Sequence, residues 1–448
     1  MHSRPRVDSA RTAWTAFRPS ETAPWNLRRV VHLHRCAGFA APWNILQRDL
    51  RDGVRPSVDR LLQGNSREEN VPTAFVHLSA MAADSAITAG DPERLKAWWI
   101  YRMLFGPDPL GERLTLMWHN HFATSNAKVR DLALMRQQNE MFRQNARSRF
   151  AVLLEAALHD PALLIWLDGS SNRREHPNEN LARELMELFT LGIGHFSEAD
   201  VKQAARALTG WTIKDKTFVE AHEDHDAGEK TILGRRGQWS GTDLIKMLLD
   251  NPATALRLAW RICDTFLGED GASASGITSL AAGLRERDLD VGWGVETVLR
   301  SEAFFADSNL GRRVLSPVEY VLGAARALEL DDPPPSTVAL AEEIALMGQD
   351  LFYPPNVGGW PGGRGWLEPR AVVRRANFAA ALCAGRLSGR NEPFAAEVFA
   401  ARHGRKRDRH GAIGFLEEVL LGARRDSGAR AAVPTAATLL SSPQAQLF

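Results

Sequence analysis

The stretch MWHNHFATS (Met117–Ser125) sets two histidines two residues apart, flanked by Trp118 and Phe122. Such a pair can hold a metal, move a proton or simply pack. On a regular helix His119 and His121 point about 200° apart and cannot serve one centre. Asn120, Thr124, Ser125 and Asn126 are helix-ending residue types, and an end at His121 would let both rings turn to one side.

A second set lies in NENLARELMELF (Asn178–Phe189). Asn180, Arg183, Glu184 and Glu187 share one helical face, and Leu181, Leu185, Leu188 and Phe189 share the other. Two carboxylates and an amide stacked on one face suit a hard cation or acid–base chemistry. The same face also reads as a surface charge ladder. Glu179, Arg183 and Glu187 are four apart, worth a few tenths of a kcal/mol per pair. His195 follows after Gly192 and Gly194. A helix C-terminus favours a histidine electrostatically, and the two glycines let the chain fold it back.

HEDHD (His222–Asp226), with Lys230 after it, is dense in titratable groups. His222 and His225 with Asp224 or Asp226 are metal-ligand types, and equally the tip of a polar turn. NVGGWPGGRGW (Asn356–Trp366) lacks the context of a phosphate loop. Its Trp360 and Trp366 can lid a pocket, stack on a sugar ring or pack over a core. The chain has no HExxH, GxGxxG or GxSxG.

The elements that must position these groups are mostly helical. Ser197 with Asp200, Ser240 with Asp243, and Ser316 with Pro317 and Glu319 are helix-start signals. Pro177 and Asn178 open the Glu184 helix, and Gly192 and Gly194 stop it. The best strand signal, Lys216–Gly234, predicts one hairpin around the polar turn. The expected architecture is mainly α, a large multi-helix globular domain with a small β-hairpin insertion.

Composition narrows the classes. Lys plus Arg number 55 and Asp plus Glu 54, a balance that calls for neither a nucleic-acid nor a membrane partner. The basic run Arg402–Gly411 reads as a solvated loop. Three scattered cysteines, Cys36, Cys263 and Cys383, imply neither a zinc knot nor a disulfide scaffold. No stretch is long and apolar enough to span a bilayer, and the N-terminus lacks the apolar core of a signal peptide. A cytoplasmic protein is the expectation.

The motifs together resemble a bacterial family known as domain of unknown function 1800. Asn178–Trp211 carries the likeness most specifically. MWHNHFATS, HDAGEKTILG (His225–Gly234), NVGGWPGGRGW and the early WNLRRVVHLHRCAGFAAP (Trp25–Pro42) add to it. The likeness divides the chain into an extension (1–24), a family helical domain (25–385) and a C-terminal helical segment (386–448). The hairpin insertion falls near 212–236 and the Gly/Trp loop at 356–369. It implies no reaction. It does imply a phosphatase- or sulfatase-fold protein encoded nearby, hence a shared role at the cell envelope and export together with that partner.

The expectation is therefore an enzyme, hydrolase or oxidoreductase, acting on an envelope polymer such as a polysaccharide. His119, His121, Glu184, Glu187, His195, His225 and Asp226 would hold a divalent metal (zinc, iron or manganese). Glu184, Glu187 and His121 would be catalytic, and Asn180, Arg183, Lys230, Trp211 and Trp360 would bind. The alternative is a non-catalytic helical scaffold or chaperone for the partner, with these residues as a buried polar network.

Overall fold

The computed structural model describes residues 13–64, 72–331, 333–388, 392–423 and 435–448. Among them are 23 α-helices and two separate two-stranded antiparallel sheets. None of the helices is long and apolar enough to cross a membrane.

The local start signals hold. Ser197, Ser240 and Ser316 each accept from the backbone N–H three residues on, and Asp200, Asp243 and Glu319 return the bond to the cap backbone. Each such cap is worth about 1 kcal/mol. The strands depart from expectation. Thr217–Glu220 pairs backwards with Trp211–Lys214, and Lys230–Ile232 pairs forwards with Arg235–Gly237. Two short local pairings replace the single hairpin, and His222–Asp226 is the link between them rather than a hairpin tip.

Apolar side chains gather into two cores. One contains Trp118, Phe122, Phe150, Phe189, Trp211 and Phe305, and the other Trp98, Trp99, Phe352, Phe378, Phe415 and Phe448. Helix Leu27–Gly38 serves both, with Leu33 and Cys36 in the first and Val30 and Val31 in the second. So does the helix Pro109–His121, called the histidine helix below. The segment after 385 shares the second core through Phe399, Leu416, Leu439 and Phe448, so no break in packing marks that boundary. The extension is tied down from Ala13 onwards: Phe17 N–H donates to the Arg300 carbonyl (2.8 Å). Residues 1–12 lie outside the described segments.

The Glu184 helix is not regular. It runs as an α-helix over Asn180–Glu184 and continues as a π-helix over Leu185–Thr190. Gly192 and Gly194, at φ of 83° and 88°, then turn the chain away in a conformation open to glycine.

Candidate functional site

The histidine helix does end at His121, but its two histidines do not meet. His119 is buried between Trp99, Phe142 and Phe352, with ring centroids 4.5–5.6 Å away. Asn139 donates to its Nε2 (3.0 Å), an orientation fixed because Arg143 donates to the Asn139 oxygen. Burial holds the His119 pKa down to about 3. His121 lies in a second aromatic box of Trp118, Phe122, Phe150 and Phe189. Its Nε2–H donates to the Phe189 carbonyl (3.1 Å). Burial, then the fields of Arg261 and Arg257, push its pKa well below the usual range.

That last bond explains the MELF motif. Carbonyls at a helix C-terminus have no partner within the helix. Here Arg257 Nε donates to the Leu188 carbonyl (3.3 Å) and His121 to that of Phe189. His121 therefore caps the π-turn. Glu187 on that turn and Glu184 just before it are half-buried, without a hydrogen bond or ion pair. Burial, then the neighbouring Glu187 charge, raises the Glu184 carboxyl. Arg183 belongs to a surface charge ladder, bridging Glu179 (3.0 Å) and Glu198 (2.7 Å). Asn180 sits at the helix start, where Asn178 Oδ1 accepts from its N–H (2.9 Å).

The remaining predicted residues are apart from these. Asp226 accepts from Arg206 (2.6 Å), and His225 Nδ1–H donates to the Thr209 carbonyl (3.0 Å). Buried Lys230 donates to the Asp226 and Gly228 carbonyls. HDAGEK is thus a clasp that staples the link between the sheets to the end of helix Glu198–Ala207. Trp211 is buried against His159 and Phe218, and His195 is exposed beyond Gly194. Trp360 is only 4% exposed, with its indole N–H on the Asp350 carbonyl (3.1 Å). It packs and presents no stacking face. Among the described residues no group of three or more His, Cys, Asp or Glu could hold a metal ion. The seven proposed ligands are not gathered, because the aromatic boxes hold the two histidines in separate places.

Two of the motifs, MWHNHFATS and the Gly/Trp loop, do share a cleft. It opens between the histidine helix and the helix Pro252–Leu267, called the arginine helix below. Arg113 donates to the Thr265 carbonyl (3.1 Å) at one end, and His121 feels Arg257 and Arg261 at the other, so the two helices run antiparallel. The cleft encloses about 170 Å³. Met117 and Asn120 line one wall, and Arg261 and Asp264 the other. The Gly/Trp loop covers it through Gly362, Gly363 and Arg364. Asn120, the residue between the two histidines, anchors that cover: its Oδ1 accepts from the Trp360 N–H (2.7 Å). Gly359, at φ 88°, approaches so closely that a Cβ would fall 2.3 Å from the Asn120 Oδ1 and 2.7 Å from its carbonyl oxygen. Gly359→Ala should therefore cost about 2 kcal/mol or more, from the left-handed backbone and the clash together. Urea denaturation checks this, and a loss under about 0.5 kcal/mol would show that the loop is not seated on Asn120.

The floor of the cleft is a buried ion cluster. Arg113 (2.9 Å) and Arg313 (2.6 Å) both engage Glu319. A family model described as protein of unknown function (DUF1800) matches residues 32–446, nearly the whole chain. The chain belongs to this family. No curated protein and no solved structure matches it.

Two of the DUF1800 motifs border this cleft, and the polar groups that line it include several that no motif contains. Asp264 is half-buried and makes no hydrogen bond or ion pair with its side chain. Burial raises its carboxyl, Glu269 adds to that, and the fields of Arg261, Arg313 and Arg113 oppose it. Arg261 likewise makes no hydrogen bond or ion pair, and its Nε is enclosed without a partner. Burial lowers the Arg261 pKa to about 10, which leaves it charged at neutral pH. The signal for these residues was present: Arg257, Arg261 and Asp264 fall at i, i+4 and i+7 in RLAWRICD. Such a stripe reads as a solvated helix face until a second helix is known to face it.

Proposed function

We propose that the protein is an enzyme that works in this cleft on an envelope polymer such as a polysaccharide, with Asp264 as the proton-transfer group. A phosphatase- or sulfatase-fold partner would act on the same material. One observation carries the reading. Asp264 is a carboxyl raised by burial, without a bound partner, facing an open polar cleft. A carboxyl whose proton is held more tightly than usual, with no fixed partner, is the kind of group that can deliver or take a proton. Glu184 has a similar raised carboxyl but does not line the cleft.

The test is release of new chain ends from a panel of neutral and acidic polysaccharides. Asp264→Asn should lower turnover about 100-fold and remove the limb of the pH profile that Asp264 sets. An Asp264→Asn protein as active as the parent would overturn the assignment, and Glu184→Gln beside it tests the other carboxyl. No step here runs through a metal. Elemental analysis of the purified protein decides that point, since stoichiometric zinc, iron or manganese would return the metal form.

A second reading has its own observation. Helix Thr73–Ala89 exposes Val76, Leu78 and Met81 by 51–55%, apolar side chains of the kind that dock a partner. In the scaffold reading, Leu78→Asp with Met81→Asp abolishes capture of the phosphatase-fold partner, while Asp264→Asn changes nothing measurable.

A further inference from the structure

The arginine helix presents a second arrangement next to the cleft. Arg257 and Arg261 flank Trp260, with guanidinium carbons 4.9 and 5.1 Å from the indole centroid. Trp260 is 38% exposed, unusual for so large an apolar ring. Stacking against a rigid ring limits the rotamers of two otherwise flexible side chains. The indole thus holds two positive forks in place beside it.

These forks are underused. Arg257 commits only its Nε, to the Leu188 carbonyl. Arg261 commits nothing, and its enclosed Nε is an orphan donor. A buried donor left without an acceptor is unfavourable, so its retention asks for an explanation. Two more arginines, Arg312 and Arg364, line the cleft without ion pairs. An oxyanion supplies the acceptors that a guanidinium fork matches.

We propose that Arg257 and Arg261, braced against Trp260, form an oxyanion subsite that binds a carboxylate or ester sulfate on a saccharide substrate. This rests on the reading of the cleft as the polymer site. Asp264, Glu269 and Asp270 line the same cleft, and the Glu187 charge acts on Arg257. A densely charged nucleic-acid backbone would meet these carboxylates at close intervals. A saccharide carries sparse charge among many hydroxyls, and those hydroxyls can donate to the carboxylates. Trp260 is the positioning residue.

Titration calorimetry with oligosaccharides of one length tests this: neutral, carboxylated and sulfated, with single-stranded DNA as a fourth ligand. One or both acidic sugars should bind at least about 10-fold more tightly than the neutral one, with affinity falling as salt rises. The carboxylated and sulfated arms identify which oxyanion is read. Arg261→Gln should remove that 10-fold preference. Trp260→Ala should weaken it several-fold and Trp260→Phe should restore it, which a merely structural tryptophan would not do. Equal binding of neutral and acidic sugars, tighter binding of DNA, or an acidic preference that survives Arg261→Gln would each overturn the subsite. The two readings fail separately. Turnover of a neutral polymer that depends on Asp264 keeps the enzyme and removes the subsite. Arg261-dependent binding without Asp264-dependent turnover does the reverse.

Discussion

Glu319→Ala lowers stability by about 3–5 kcal/mol, a large fraction of what a folded chain has. Glu319 is 3% exposed and starts helix Pro317–Ala327. Its two oxygens accept from Arg113 and both Arg313 amino groups, and one also accepts from the Ser316 N–H (2.8 Å). The arginines and these bonds outweigh burial, so its pKa falls to about 2 and it is ionised throughout the working range. Removing it leaves two buried guanidinium groups without a counter-charge and the helix start without half its capping box. The cost comes mainly from the stranded cations, so Glu319→Gln, which keeps the shape and the cap acceptor, should still lose more than half of it. Urea denaturation of both variants checks this. A loss below about 1 kcal/mol for Glu319→Ala would mean that the cluster contributes little to holding the cleft floor.

The second large effect is acid lability that begins near pH 6.5. His32 and His119 are buried neutral, each with a pKa held down to about 3, chiefly by burial. His121 is pushed the same way. The unfolded chain titrates its histidines near 6.5. Between those limits the unfolded state binds more protons, so stability falls as pH drops below 6.5. Each histidine contributes about 1.4 kcal/mol per pH unit. Asp160 opposes one of them. Burial raises its carboxyl to about 7, so the folded state holds that proton first and gains stability as pH falls from 7 towards 4. Three histidines against Asp160 leave a net slope on the order of 3 kcal/mol per unit, which the raised carboxyls of Asp264 and Glu184 lower further. Denaturant-derived stability at pH 7, 6 and 5 gives the slope, and His119→Gln should reduce it by about one proton. A flat profile between pH 6.5 and 5 would contradict the burial of these rings.

The features legible in the sequence were the local ones. The serine caps of three helices, the glycine stop after Leu191 and the helical class all follow from contacts within a few residues. The pairing of the strands was less legible, because Thr217–Glu220 could join either neighbour and only the tight Asp215-Lys216 turn selects the earlier one. The site was mostly hidden. Whether His119 and His121 meet depends on which aromatic rings arrive from distant segments, Trp99 and Phe352 for one and Phe150 and Phe189 for the other. The Gly/Trp loop was flagged for its tryptophans, yet Trp360 and Trp366 pack inward and the exposed indole is Trp260. Asn120 was read as a helix-ending residue between two better candidates, and it is the one of the three that lines the cleft.

The π-turn at Leu185–Thr190 fits one more residue into its turn than an α-helix does, a phase lag of about 100°. It acts as an angular offset between the two ends of one rod. Every helical wheel drawn through Asn180–Leu191 is therefore wrong past Glu184. A single-residue deletion within 185–190 would let the rod relax to a uniform pitch. It would swing the Phe189 carbonyl away from His121, and the signature segment would then lose its hydrogen bond to the histidine helix. Length, not composition, is the quantity this stretch cannot vary.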